Sequence, residues 1–165
     1  MATILQKYPA WGGPGIEPRW TRSDKDGAGT AYSALSRVWY TVSKGILNEV
    51  YYPTIDRPQI RDLQYLITDG ETFFSDERQL DNVHECLAPH TLGYRITNAD
   101  PHGRYRIVKE VIGDPHQACV FTHTRLEAAP AILAKLRLFA LLAPHLEGGG
   151  RGNHGNVVQT PWGRC

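Results

Sequence analysis

The feature that most constrains this chain is a two-residue alternation that restarts after each turn-forming stretch. In Arg37-Val-Trp-Tyr-Thr-Val-Ser43, Val38, Tyr40 and Val42 share one face, and Arg37, Trp39, Thr41 and Ser43 the other. That is the period of a strand with one buried side. A Lys44-Gly45 step follows, and Ile46-Leu-Asn-Glu-Val-Tyr-Tyr52 returns as the second arm of a hairpin stopped by Pro53. Asp56-Arg-Pro58 is a turn and residues 60–68 are a strand. Asp69-Gly70 is the strongest short hairpin signal in the chain, with Glu71-Thr-Phe-Phe74 returning from it.

The second half repeats this pattern. Gly93-Tyr-Arg-Ile-Thr97 is a strand and Asn98-Ala-Asp-Pro-His-Gly103 a loop of turn formers. Residues 104–112 alternate Tyr105, Ile107, Lys109 and Val111 against Arg106, Val108, Glu110 and Ile112. Gly113-Asp-Pro115 turns the chain, and residues 118–126 return. Residues 133–142 have helix-forming Ala and Leu. Their place in a meander ending at Ala143-Pro144 favours a strand instead. The 16 Gly and 11 Pro, with 10% aromatic residues, fit an antiparallel all-β chain. Residues 1–26 read as an irregular arm whose Tyr8, Trp11 and Trp20 lie on something apolar. Residues 27–165 read as the first part of a larger β domain. A strand starting at Asn156 should then leave an open apolar edge around Val157, Val158 and Trp162, and the chain alone should self-associate.

Several function classes are disfavoured. The net charge of +1 argues against a nucleic-acid partner, which calls for a basic excess. No apolar run approaches the roughly 20 residues of a membrane helix. The first residues do not read as a secretory signal, which predicts a cytoplasmic protein. Cys86, Cys119 and Cys165 are odd in number and widely spaced, and read as free thiols, with Cys119 buried. His84-Glu-Cys86, with His90 beyond, and the spacing of His116, Cys119 and His123 do not assemble a four-ligand metal set. The glycines at 26–29 and 148–152 lack the Lys-Ser/Thr ending of a phosphate loop. No metal and no cofactor is therefore expected. Glu49, Asp56, Asp62 and Asp69 read as salt-linked or turn-capping carboxylates, so no catalytic residue is assigned.

The densest functional-looking stretch runs from Asn48-Glu-Val-Tyr-Tyr-Pro53 to Arg61-Asp62. Tyr51 and Tyr52, with an Arg61–Asp62 pair, are the candidates for contact with substrate or a neighbouring domain. Tyrosine offers an apolar face and a polar tip, which suits sugar rings and domain interfaces alike. A packed strand end is the plainer reading of the same residues.

Gly15-Ile-Glu-Pro-Arg-Trp20, Lys25-Asp-Gly-Ala-Gly-Thr-Ala-Tyr32, Ser36-Arg-Val-Trp39, Gly45-Ile-Leu-Asn-Glu-Val-Tyr-Tyr-Pro53 and Arg61-Asp-Leu-Gln-Tyr-Leu-Ile-Thr-Asp-Gly70 together resemble the N-terminal domain of bacterial and archaeal glucoamylases and glucodextranases, glycoside hydrolase family 15. Tyr94-Arg-Ile-Thr-Asn98, Asp100-Pro-His-Gly-Arg-Tyr-Arg-Ile107, Gly113-Asp-Pro-His116, Leu141-Leu-Ala-Pro-His-Leu146 and Thr160-Pro-Trp-Gly163 continue the resemblance. It implies a super-β-sandwich of galactose-mutarotase-like shape. It also implies a partner, the (α/α) helical barrel of the same full-length chain. In the family that barrel carries two glutamates that hydrolyse terminal α-glucosidic bonds with inversion. The substrate implied is an α-glucan oligosaccharide, met through the parent enzyme. Nothing here matches the barrel, so the chain alone is expected to be inactive. Two other readings stay open: a free-standing mutarotase-like sugar-binding enzyme, which needs a His and a Glu facing one cleft, and an interaction module unrelated to sugar.

Overall fold

The computed structural model describes residues 6–9, 24–150 and 152–164. Trp11, Trp20, Cys165 and the stretch 15–20 lie outside the described residues, so the expectation of an aromatic arm on an apolar surface is not addressed. The elements are strands β1 (Gln6–Pro9), β2 (Gly27–Thr30), β3 (Trp39–Ser43), β4 (Ile46–Tyr51), β5 (Pro58–Thr68), β6 (Phe74–Asp76) and β7 (Asp81–Cys86). Then come β8 (Tyr94–Ala99), β9 (Tyr105–Gly113), β10 (Val120–Ala128), the single helical turn α1 (Pro130–Leu133), β11 (Arg137–Pro144), β12 (Asn156–Thr160) and β13 (Gly163–Arg164). Short 3-10 turns occupy Glu77–Gln79 and Leu146–Gly148.

Every strand pairing is antiparallel. One sheet runs β11-β5-β4-β3-β2 with β6 also on β5, a second runs β10-β9-β8-β7, and a small third is β1-β12-β13. The first two face each other. Val38, Tyr40, Val42, Leu47 and Val50 of the first pack with Ile96 and Val111 of the second. Ile67 packs with Leu80, Tyr105 and Ile107 in an adjoining cluster. Each such side chain contributes on the order of 1.5–3 kcal/mol by leaving water. The alternations read from the sequence in β3 and β9 therefore hold, with Val38, Tyr40, Val42, Tyr105, Ile107, Lys109 and Val111 all buried. The hydroxyls of Tyr65 and Thr124 bond across the layers at 2.9 Å.

The β3–β4 hairpin turns on Lys44 and Gly45, both at positive φ, as a tight two-residue turn requires. A side chain at Gly45 would strike Asn98. That contact belongs to a polar knot at the centre of the sandwich. Glu77 Oε1 accepts from Lys109 Nζ at 2.5 Å and from Asn98 Nδ2 at 2.6 Å. Glu77 Oε2 accepts from the Tyr65 N–H at 2.8 Å. Lys109 Nζ and Asn98 Nδ2 both also donate to the Gly45 carbonyl, at 2.5 and 2.8 Å. Glu77 is 0% and Lys109 2% exposed. Burial pushes the Glu77 carboxyl up and the Lys109 ammonium down, each opposed by the partner's charge. Glu77 sits where the chain leaves β6 of one sheet to enter β7 of the other, so the knot fastens that crossover to both layers.

Five expectations change. Asp69-Gly70 is not a two-residue turn. The Asp69 carboxylate accepts the N–H groups of Glu71, Thr72 and Phe73 and the Thr72 hydroxyl, which shapes a five-residue loop between Thr68 and its partner Phe74. Asn98 and Ala99 are the end of β8 and not loop, because Asn98 is drawn into the knot. Residues 81–86 form β7, which the polar sequence did not announce. Cys119 is half-buried, not buried. Lastly, β12 is not a bare edge, since β1 pairs it from Asn156 to Gln159 and β13 takes Gln159 and Thr160. Residues 133–142 do enter a strand, β11, after one helical turn.

Candidate functional site

The stretch singled out in the sequence lies on β4, the loop after it and β5. Its geometry starts from an irregular ladder. Leu47 and Val50 both join the core although three apart, and so do Ile60 and Leu63. The β4–β5 register pairs Leu47 with Leu63, Asn48 with Asp62 and Val50 with Ile60. Each strand thus carries two polar residues between its inward positions, Asn48-Glu49 on β4 and Arg61-Asp62 on β5. Glu49 adopts φ +36°, and the β3–β4 register shifts beside it. Such bulges redirect side chains where regular pleating would not.

The four predicted residues fall into two groups. Arg61 Nε donates to Asp62 Oδ2 at 2.9 Å. Tyr51 instead donates its hydroxyl to Glu49 Oε2 at 2.6 Å, and Glu49 pairs with Lys25 Nζ at 2.9 Å. Burial, then the bond to Glu49 and its charge, push the Tyr51 phenol well above its ordinary value. Tyr52 serves through its backbone. Its N–H donates to the Arg57 carbonyl and its carbonyl accepts from Gln59 Nε2, closing the loop that opens with a cis bond to Pro53. Its ring is 41% exposed.

Asn48, inside that stretch but not among its four candidates, and Gln64, which the sequence reading missed, complete the site. Asn48 stands opposite Asp62, and Gln64 follows Asp62 by two positions, so both point away from the four-stranded sheet. That face would ordinarily meet water, yet Asn48, Asp62 and Gln64 are all buried. Asp62 Oδ1 and Gln64 Oε1 have no hydrogen-bond partner among the described residues. Gln64 Nε2 reaches Asp76 Oδ2 at a long 3.5 Å. The signal available was that Gln64 shares the phase of Asp62 along β5. Buried acceptors without donors are costly, so this outward face is closed over and not solvated as a sheet's outer face ordinarily is.

Elsewhere, several charges are matched locally. A shallow groove at one end of the four-stranded sheet is lined by Asp100, Arg104, Arg106 and Glu127. There Arg104 forks onto Asp100, and Arg106 pairs with Glu127. His84 lies on β7 with Nδ1 3.8 Å from Asp26, while Cys86 on the same strand is exposed. Among the described residues no three of His, Cys, Asp or Glu are grouped as a metal ion would need, and no helix is long and apolar enough to cross a membrane.

Comparison with known proteins agrees with this architecture. The family model described as glucodextranase, domain N, matches residues 10–164. A glucoamylase of Clostridium sp. (strain G0005) is 36% identical over 150 residues, 90% of this chain and 21% of that protein. A solved structure of a bacterial glucoamylase complexed with acarbose matches with a TM-score of 0.82 at 30% identity. That match covers 96% of this chain and 24% of the other. The chain therefore spans between a fifth and a quarter of the relatives it matches.

Proposed function

The chain belongs to the glucodextranase domain N family, and from that premise we propose that it acts as the non-catalytic β-sandwich unit of an α-glucan exo-hydrolase. The parent activity in this reading is release of glucose from α-1,4- or α-1,6-linked glucans with inversion. The catalytic groups lie on a helical barrel of the same full-length chain, and the sandwich helps that barrel fold and borders its site. The observation that carries the reading is the likeness to glucoamylase along nine-tenths of the chain.

Local chemistry supports a non-catalytic role. An inverting glycosidase needs an acid and a base about 6.5–9.5 Å apart, flanking the bond with room for water. Here Glu77, Glu49, Asp62, Asp100, Glu110 and Glu127 are each engaged by a cation. The face holding Tyr51, Tyr52, Arg61 and Asp62 is the one we assign to the barrel, because Tyr52 and Arg61 remain partly exposed there. The test is hydrolysis of maltotriose and isomaltotriose. The purified chain alone should release no glucose. A protein that also carries the barrel should release it as the β-anomer, read by proton NMR before mutarotation. Sustained glucose release by the chain alone overturns the proposal.

A further inference from the structure

The tight turn between β3 and β4 is gripped at both of its ends. At one end, Asp26 Oδ2 accepts the Lys44 N–H at 2.6 Å, and the Asp26 N–H donates to the Val42 carbonyl at 2.9 Å. At the other end, the Gly45 carbonyl accepts from Lys109 and Asn98 of the opposite sheet. Lys44 holds φ +48°, a conformation that a non-glycine residue keeps only when its surroundings enforce it.

His84 stands beside this turn. It pairs with Ile96 on β8, which pairs with Lys109 on β9. The three side chains therefore lie in one row on the inner face, where Ile96 and Lys109 are both buried. The His84 side chain is 14% exposed, and its Nδ1 lies 3.8 Å from Asp26 Oδ2. That is too long for a hydrogen bond, and the oxygen is the one that already takes the Lys44 N–H. Nε2 is buried, with no hydrogen-bond partner among the described residues. The charged groups facing the ring are Asp26, from the segment before β2, and Lys109, from β9, which is itself paired with Glu77. β8 presents Ile96 to it.

A neutral imidazole carries hydrogen on one nitrogen and a charged imidazole on both. Protonation of His84 therefore puts a buried donor on Nε2 without an acceptor among the described residues, and a positive charge in one row with the Lys109 ammonium. It also makes Nδ1 a charged donor aimed at Asp26 Oδ2.

We propose that His84 is a proton-operated latch on the β3–β4 turn. With the ring neutral, Asp26 Oδ2 stays on the Lys44 N–H and the turn is clasped between the sheets. A proton taken from solvent makes the ring compete with that N–H for the same oxygen, and the turn loosens. The direction of titration agrees. Burial pushes the His84 imidazole below its ordinary value; the Asp26 charge opposes this and the Lys109 charge adds to it. The clasped state thus resists a proton that the opened state accepts. Its hold is complete above the ordinary histidine value, about 6.5, and is lost as the pH falls from there through the lower value of the clasped state.

Two NMR measurements on the chain test this. The His84 ring resonances should titrate with a midpoint below about 6.5. Asp26→Asn should move that midpoint lower still, since the carboxylate favours the charged ring. The second measurement is hydrogen exchange at the Lys44 amide, corrected for the pH dependence of chemical exchange. Protection there should fall at least about threefold between about pH 7 and about pH 5, the change that a half-unit difference in pKa between the clasped and opened states produces. His84→Gln keeps a polar side chain without the titration and should hold its protection constant over the same range. A midpoint at or above about 6.5, a midpoint that Asp26→Asn leaves alone or raises, or an equal loss of protection in His84→Gln would each overturn the proposal. If His84→Gln does not fold, the wild-type midpoint and its response to Asp26→Asn decide.

Discussion

Glu77 and Asp62 are two acidic residues almost wholly removed from solvent, and they are settled in opposite ways. Glu77 lies between the sheets, with both oxygens occupied by Lys109, Asn98 and the Tyr65 N–H. Asp62 lies on the outer face, with one oxygen held by its neighbour Arg61 and the other without a partner among the described residues. Arg61 is itself 25% exposed, whereas Lys109 is 2% exposed. The difference teaches that burial alone does not mark a functional carboxylate. A closed network fixes a fold, and an open one leaves something for a partner to complete.

The largest effect should come from breaking the closed network. Lys109→Met leaves a carboxylate buried without its cation, at a cost of about 3–5 kcal/mol in urea unfolding at neutral pH. The double change Lys109→Met with Glu77→Leu should recover most of that loss, because well-packed apolar groups replace a buried ion pair at little cost. The pH dependence has a definite sign. Without Lys109, burial pushes the Glu77 carboxyl higher still. The native state then holds a proton that the unfolded chain has released. Lowering the pH from 7 towards the ordinary carboxylate range, near 4, should therefore shrink the deficit of Lys109→Met. A deficit that stays constant or grows on acidification would show that Glu77 is not the group left exposed to the loss.

Asp62→Asn makes the milder version of the same cut. Arg61 keeps access to water when its partner loses charge, so the stability loss should be about 1 kcal/mol or less, as for partly solvated pairs. The same substitution should weaken capture of a separately produced helical barrel, read by titration calorimetry. A loss equal to that of Lys109→Met would erase the contrast and make Asp62 a structural residue like Glu77.

The two sites also differ in how far the sequence reveals them. Arg61 and Asp62 are adjacent, so their pairing is legible without a structure. Lys109 was visible as a cation in the inward phase of β9, between Ile107 and Val111. Its partner lies on a 3-10 turn far along the chain, and no local spacing announces it. β7 was missed for a related reason. Asp81, Asn82 and Glu85 have poor strand propensity, and the strand forms because β8 supplies a full ladder for it. The alternation of β3, β4, β5 and β9 was readable because a sandwich buries one face of each strand. Gln64 carries no cue of its own beyond sharing the phase of Asp62 along β5.

Tyr52 should show the smallest effect on the fold and so tests the outer site most cleanly. Its ring is substantially exposed, and the loop after β4 is held by its backbone N–H and carbonyl. Tyr52→Ala keeps both groups, so thermal and urea unfolding should shift by no more than about 0.5 kcal/mol, as for surface truncations away from caps and networks. If this face docks the barrel, the same variant should lose affinity for it out of proportion to that shift, because exposed aromatics near an interface centre carry much of the binding energy. Tyr51→Phe provides the counterpart on the neighbouring residue. It removes the bond to Glu49 from a half-buried ring, so stability should fall by about 1 kcal/mol, with a smaller change in docking. The reverse ranking, with Tyr52 costing more in folding and Tyr51 more in docking, would move the interface off the exposed loop and towards the Glu49–Lys25 pair.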